Sequence, residues 1–170
     1  MLDSFIAYVE RLELLTFFSG YPILYALVMS FWGKGQKGNP VINSLPKSLP
    51  MAYALVGTIF LLLWLREIYI QSGIKNLEPG FNITPLKVWG LLAIIFWLPA
   101  LRRIPTYSLV HSLVFFFLFC KDLVLGLGSR EGKDIISNDM KVYTVSMVIN
   151  LISLILVLLT SYLIGKIDHN

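Results

Sequence analysis

The chain has 170 residues, of which 56% are hydrophobic and only 14% charged, and its formal net charge is +4. Soluble domains carry about 25% charged residues, so this composition excludes an ordinary soluble domain and indicates lipid as the solvent. The charges form no basic run, which argues against nucleic-acid binding. The single cysteine, Cys120, excludes a disulfide framework or a cysteine-based metal site within one chain.

The first apolar stretch predicts a membrane-spanning helix over Leu14–Gly33. A spanning helix needs roughly 20 apolar residues to cross about 30 Å of hydrocarbon. Pro22 lies inside this stretch and lacks a backbone N–H. We therefore expect a kink near Ser19 and Gly20.

Residues 34–50 are rich in glycine, proline and asparagine, which predicts a polar loop. The second span is predicted over Met51–Ile70, with Pro50 suited to its first turn. The third, Leu86–Leu101, is shorter, and Pro99 is expected to bend its end.

Two arginines and a proline within residues 102–105 predict a tight turn, which separates the third span from a fourth over Tyr107–Leu125. The fifth span is predicted over Tyr143–Ile164, with Ser137 as a helix cap. The prediction is an all-α polytopic transmembrane bundle: residues 1–170 form one integral membrane domain with short loops and no soluble domain. It has five spans, or four if the 102–105 turn is not a true hairpin.

The distribution of basic residues predicts the orientation, because lysine and arginine are enriched near the cytoplasmic ends of spans. Five spans place the termini on opposite sides. The shorter segments of one side hold the denser basic charge, so we predict the N-terminus outside and the C-terminus inside a plasma or bacterial inner membrane. The basic residues assigned to the inside are Lys34, Lys37, Lys47, Arg102, Arg103 and Lys166.

Aromatic residues near the predicted span ends are expected at the membrane–water interface, where amphipathic rings are enriched. Tyr53 and Trp89 are among them. The others are Trp32, Tyr69, Tyr107, Tyr143 and Tyr162.

Small or polar residues gather on one face of most spans, which predicts close helix packing and cross-helix hydrogen bonds. The fifth span is the clearest case, with Ser146, Asn150, Ser153 and Thr160 within an arc of about 80° on an ideal helix. Alternatively, this stripe lines a wet path. The corresponding residues of the first three spans are Thr16, Ser19, Ala26 and Ser30, then Ala54, Gly57 and Thr58, then Gly90, Ala93 and Ala100.

His111 and Asp122 share a face of the fourth span but lie about 16 Å apart along its axis. They are either two stations of a proton or ion route or separate polar groups satisfied by neighbouring helices. No cofactor or metal site is predicted, because ligands are too few. The interfacial charged residues are Arg66, Glu67, Arg102, Arg103 and Lys121.

Three functions remain open. The first is a non-enzymatic structural, accessory or regulatory subunit of a membrane complex, whose partners are lipids and other membrane subunits or further copies of itself. The second is an oligomeric channel or transporter with its route along the fifth helix. The third is a membrane enzyme for lipid-linked substrates, in which Arg102 and Arg103 hold a phosphate and His111 acts as base.

Overall fold

The computed structural model describes residues 12–33, 40–73, 84–127 and 132–167, with side chains described for 12–32, 44–70, 84–125 and 140–163. Within these ranges every regular element is a helix and no strand occurs. The helices are α1 (12–18), α2 (Tyr21–Gly33), α3 (Pro40–Gly73), α4 (Pro85–Leu91), a 3₁₀ helix (Leu92–Trp97), α5 (Pro99–Arg102), α6 (Pro105–Leu127) and α7 (Gly132–Ile167).

Four helical stretches in the described ranges are long and apolar enough to cross a membrane: Leu12–Trp32, Ser44–Ile70, Pro105–Leu125 and Met140–Leu163. They overlap four of the five predicted spans. The predicted third span corresponds to a shorter apolar stretch, Pro85–Trp97. An all-helical protein with several membrane-compatible spans is therefore confirmed, and a fifth crossing stays a prediction.

The first span is interrupted where Pro22 was expected to kink it. Helix α1 ends at residue 18, a turn covers Ser19 and Gly20, and α2 begins at Tyr21. Pro22 then occupies the first turn of α2, where its missing N–H costs little. The predicted kink is confirmed.

Helix α3 begins earlier than predicted. Residues 40–50 are helical rather than a loop, and Pro46 and Pro50 lie inside the helix. Both prolines are buried. Proline is tolerated within membrane helices where neighbouring groups satisfy the freed carbonyls. Tertiary burial thus outweighs the local breaking effect of these prolines, and the predicted start at Met51 is wrong.

The segment from Pro85 to Arg102 changes its helical type along its length. It starts as α4, tightens into the 3₁₀ helix and ends at Trp97, with Leu98 extended at ψ 129°. Pro99 has no N–H for an α-helical bond to Ile95, and the Leu98 N–H donates to the Ile95 carbonyl instead, at 2.9 Å. The predicted bend at Pro99 and the break at residues 102–105 are both confirmed.

Helix α7 also begins earlier than predicted, at Gly132. Ser137 therefore lies inside the helix, and its predicted role as the cap is wrong. No proline follows Gly132 in this helix, so the polar residues before Tyr143 can continue it. Helices α3 and α7 have 34 and 36 residues, or about 50 Å each, and both are longer than the hydrocarbon layer.

The core forms around α3, which contacts α2, α4, the 3₁₀ helix, α5, α6 and α7. The largest fully buried side chains of the core are aromatic. They are Phe18, Tyr21, Tyr53, Phe60 and Phe115. Phe18 stacks on Phe115 with ring centroids 4.7 Å apart, which joins α1 to α6.

Some of the predicted small-residue faces lie at helix contacts. A Cβ atom on Gly57 would lie 2.8 Å from the Ala93 Cβ, and a Cβ on Gly20 would lie 2.7 Å from the Met147 backbone nitrogen. Small residues therefore let α3 approach the 3₁₀ helix and the turn after α1 approach α7. Four residues of these faces are exposed within the chain, and their packing stays a prediction: Ala26, Ser30, Ala100 and Thr160.

We expect Gly57→Ala to destabilise the bundle by about 1–3 kcal/mol, because the added methyl group overpacks the contact with Ala93. The double variant Gly57→Ala/Ala93→Gly should recover most of this loss, since the remaining neighbours lie at 3.3 Å. Thermal unfolding in detergent, followed by circular dichroism, measures the stability of the single and the double variant. Ala93→Gly alone is the control. An unchanged midpoint for Gly57→Ala would contradict the close approach.

Candidate functional site

A buried stripe on α6 faces the centre of the bundle and carries its only described histidine. His111 is 7% exposed. The neighbours along this stripe follow helical spacing, so one face of α6 provides them all. They are Ser108, Ser112, Phe115 and Phe119.

Both ring nitrogens of His111 bond to other helices. Nε2 lies 2.9 Å from the Trp89 carbonyl oxygen, and Nδ1 lies 2.8 Å from the Tyr53 hydroxyl. A carbonyl only accepts, so Nε2 must carry the proton. In the neutral ring Nδ1 is then the acceptor, and the Tyr53 O–H donates to it. One imidazole thereby joins α6 to α3 and α4.

Trp89 and His111 are bonded to each other twice. The Trp89 Nε1–H donates to the His111 carbonyl at 3.2 Å, while the His111 ring donates to the Trp89 carbonyl. Their rings stack with centroids 4.8 Å apart and planes 6° apart. This reciprocal pair fixes the relative positions of α4 and α6.

A second hydroxyl pair lies beside the histidine. The Tyr21 Oη is 2.7 Å from the Ser108 Oγ, which also lies 2.7 Å from the Pro105 carbonyl. Because Ser108 donates its one hydrogen to that carbonyl, the Tyr21 O–H donates to Ser108. The rings of Tyr21 and Tyr53 have centroids 4.4 Å apart, so both pairs belong to one cluster.

This cluster is arranged for joining helices. The His111 ring is surrounded by the rings of Tyr53, Trp89, Phe96 and Phe115. A general base needs a nitrogen within hydrogen-bond reach of the proton it removes. Here both nitrogens are already bonded within the chain. The arrangement therefore fastens α3, α4 and α6 and presents no free nitrogen to a substrate.

A second polar cluster lies where the first span is interrupted. The Gly20 N–H donates to the Ser146 Oγ at 2.8 Å, and the Asn150 Nδ2 donates to the Phe17 carbonyl at 2.9 Å. Asn150 also donates to the Ser146 carbonyl, at 2.8 Å. Side chains of α7 thus bond one backbone group at the end of α1 and one within the turn that follows it.

One acceptor of this cluster has no donor. The Asn150 Oδ1 is buried without a hydrogen-bond partner among the described residues. The Nδ2 assignment is chemically required, since both of its partners are carbonyl oxygens. An unpaired buried acceptor costs about 1–3 kcal/mol, so an added donor here would be stabilising.

The predicted stripe on the fifth span is divided by the structure. Ser146 and Asn150 meet α1, and Ser153 is also buried. Thr160 is exposed and donates to the carbonyls of its own helix at Leu156 and Val157. The stripe is therefore not one continuous polar surface.

The other predicted site residues are not brought to His111. Asp122 lies eleven positions further along the same helix, about 16 Å away. Arg102 is exposed, and its Nη1 lies 3.2 Å from the Met51 sulfur. The remaining interfacial residues are likewise exposed: Arg66, Glu67, Arg103 and Lys121.

The described residues contain no group of three or more histidine, cysteine, aspartate or glutamate side chains that would hold a metal ion. No protein-family model, curated protein or solved structure matches this chain. The contacts within the chain itself therefore carry the functional argument.

Sequence reasoning missed the residues that complete the clusters. Tyr53 is fully buried against His111, so the prediction that it belongs to an interfacial belt is wrong. Trp89 stacks on the same ring but is 38% exposed, and its place in the belt stays a prediction. The sequence holds a signal for Tyr53, which lies four residues before Gly57 and shares its face.

We expect Tyr53→Phe to destabilise the protein by about 0.6–2 kcal/mol, because it leaves the His111 Nδ1 without its donor. A double-mutant cycle with His111→Phe should give a coupling energy of similar size. The free energy of unfolding is measured in one detergent for all variants. Tyr107→Phe, at an exposed tyrosine, is the matched control, and a coupling energy near zero would contradict the proposed bond.

Proposed function

We propose that this protein is a small, non-enzymatic accessory or structural subunit of a membrane complex. The observation that supports the proposal is that its buried polar groups form hydrogen bonds between helices of the chain. His111, Tyr53, Ser146 and Asn150 bond to other helices of the same chain. Such bonds hold a bundle together, and the Asn150 Oδ1 is the one atom of this set that is buried without a partner among the described residues.

The uneven covering of the spans supports the same proposal. In the first candidate span, 61% of the residues in its apolar stretch are buried within the chain. In the spans of α6 and α7 this share is only 28% each. Their outer faces are apolar and suit either lipid or another membrane subunit. We propose that α7 contacts the partner, which is a different membrane protein or a second copy.

We also propose that Pro85–Arg102 crosses the membrane as a fifth span. Its contacts run antiparallel to α3: Arg102 meets Met51, Trp97 meets Thr58, and Gly90 lies against Phe60. Measured along its bent path, its α-helical and 3₁₀ parts add up to about 30 Å, comparable to the hydrocarbon thickness. The 3₁₀ turns thus lengthen a segment that an α-helix alone would leave short.

Five crossings place the N-terminus outside and the C-terminus inside a plasma or bacterial inner membrane, with no soluble domain. Lys47 and Arg102 support this orientation, since the Met51 contact puts both basic residues at one end of the bundle. That end is cytoplasmic by the enrichment of basic residues on that side.

The subunit proposal predicts a stoichiometric membrane partner. Native mass spectrometry of gently solubilised protein, after cross-linking in the native membrane, should give one defined complex. Leu151→Trp, on the exposed face of α7, should weaken that complex by overfilling the contact. The matched control is Leu63→Trp on the exposed face of α3, which should leave it intact.

A monodisperse monomer under these conditions would contradict the proposal. Liposomes that contain the purified protein should show no ion or solute flux above empty liposomes. Flux that Asn150→Leu abolishes, while Ser161→Ala at an exposed site of the same helix preserves it, would favour the channel alternative instead.

The fifth crossing predicts that the termini lie on opposite sides. In a Cys120→Ala background, a single cysteine is added at one terminus or the other. A membrane-impermeant maleimide applied to intact cells should label the N-terminal cysteine only. Labelling of both or of neither would show four crossings, and labelling of the C-terminal cysteine alone would reverse the orientation.

A further inference from the structure

One end of the bundle carries a cluster of basic side chains. Lys47, Arg102 and Arg103 are all exposed. The acidic residues whose side chains the structure describes are Glu13, Glu67 and Asp122. Glu67 lies about 30 Å along α3 from Lys47, and Asp122 about 25 Å along α6 from its first residue. Glu13 precedes Phe18, whose ring stacks on Phe115 about 15 Å along α6 from its first residue. Among the described side chains, this end is therefore purely basic.

The contact between Arg102 and Met51 brings these charges together. The Arg102 Nη1 is 3.2 Å from the Met51 sulfur, so the guanidinium lies over α3. Lys47 is one turn before Met51 on the same face of that helix. Arg103 follows Arg102 in the turn before α6. Three cations from two distant parts of the chain thus lie at the same end of the bundle.

The depth of this cluster matches the lipid headgroups. The apolar run of α3 follows Lys47 from Leu49 onward, and α6 begins at Pro105, two residues after Arg103. At about 1.5 Å per residue, each basic residue is within about 5 Å of the start of an apolar helical stretch, which is the level expected for the phosphates of the bilayer surface.

An apolar stripe on α6 leads from the arginines toward the membrane interior. Its members fall within an arc of about 80° on an ideal helix, and all are exposed. They are Tyr107, Val110, Val114 and Phe117. A phenol ring at the headgroup level followed by aliphatic and aromatic side chains suits an extended acyl chain.

We propose that this end of the bundle binds an anionic phospholipid. Its phosphate lies between Lys47, Arg102 and Arg103, and one acyl chain follows the stripe on α6. Guanidinium groups suit this role because they present planar pairs of donors to phosphate oxygens. The apolar stripe favours a lipid over free phosphate, since an inorganic anion would gain nothing from it.

The test is a lipid titration with native mass spectrometry in a mild detergent. The purified protein receives phosphatidylglycerol or phosphatidylcholine, and the bound fraction of each lipid is compared. Phosphatidylglycerol should be preferred. Arg102→Gln/Arg103→Gln should reduce its apparent affinity by about five-fold for each charge removed, and phosphatidylcholine binding should not change. Lys47→Gln, on a different helix, should cause a loss of about five-fold by itself.

The matched control is Arg66→Gln/Lys121→Gln, which removes the same charge from exposed sites at the opposite end. It should keep the full preference. An equal loss in this control would show a general charge effect and overturn the site, as would wild-type protein without a preference. Inorganic phosphate is added as a competitor, and displacement of the lipid by phosphate alone would overturn the lipid assignment. No protein partner is present in this titration. Its failure would therefore not contradict the subunit proposal, which the cross-linking experiment tests separately.

Discussion

Hydrocarbon offers no water to an exposed N–H or C=O group, and this constraint explains the main contacts of the bundle. Regular helices satisfy the constraint locally. The chain departs from the α-helix at the Ser19–Gly20 turn and again between Leu92 and Pro99. In the first case, Ser146 and Asn150 of α7 bond the backbone beside the turn. In the second, the segment is held by Trp89 and Trp97.

The polar residues of the core act mainly as cross-helix bonds. A single imidazole joins three helices because each of its nitrogens bonds to a different one. Individual bonds of this kind contribute about 0.6–2 kcal/mol, so several of them together stabilise the bundle. The outside has a different character, with an apolar surface on α6 and α7 and basic residues at one end. This separation of roles underlies both the subunit proposal and the proposed lipid site.

Local chemistry predicted some elements correctly and failed at others. Pro22, Pro99 and the 102–105 break were placed correctly because proline and its neighbours act on the backbone within one turn. The same reasoning failed at Pro46 and Pro50, which lie inside α3. Proline lacks a backbone N–H at every position, but whether it interrupts a helix depends on whether neighbouring helices enclose it. The early start of α7 was not predicted, because Ser137 has the chemistry of a helix cap. No proline lies between Gly132 and Tyr143, so the helix can include Ser137.

The sequence alone determined that lipid is the solvent, where the main apolar helices lie and which of their residues are small enough for close contact. Those properties depend on composition and on neighbours within a few residues. Only the tertiary structure decided which polar groups meet. Tyr53 and His111 are 58 positions apart, and Phe17 and Asn150 are 133 apart. Such pairs form only when helices pack with a particular rotation and depth, which no local pattern in the chain encodes.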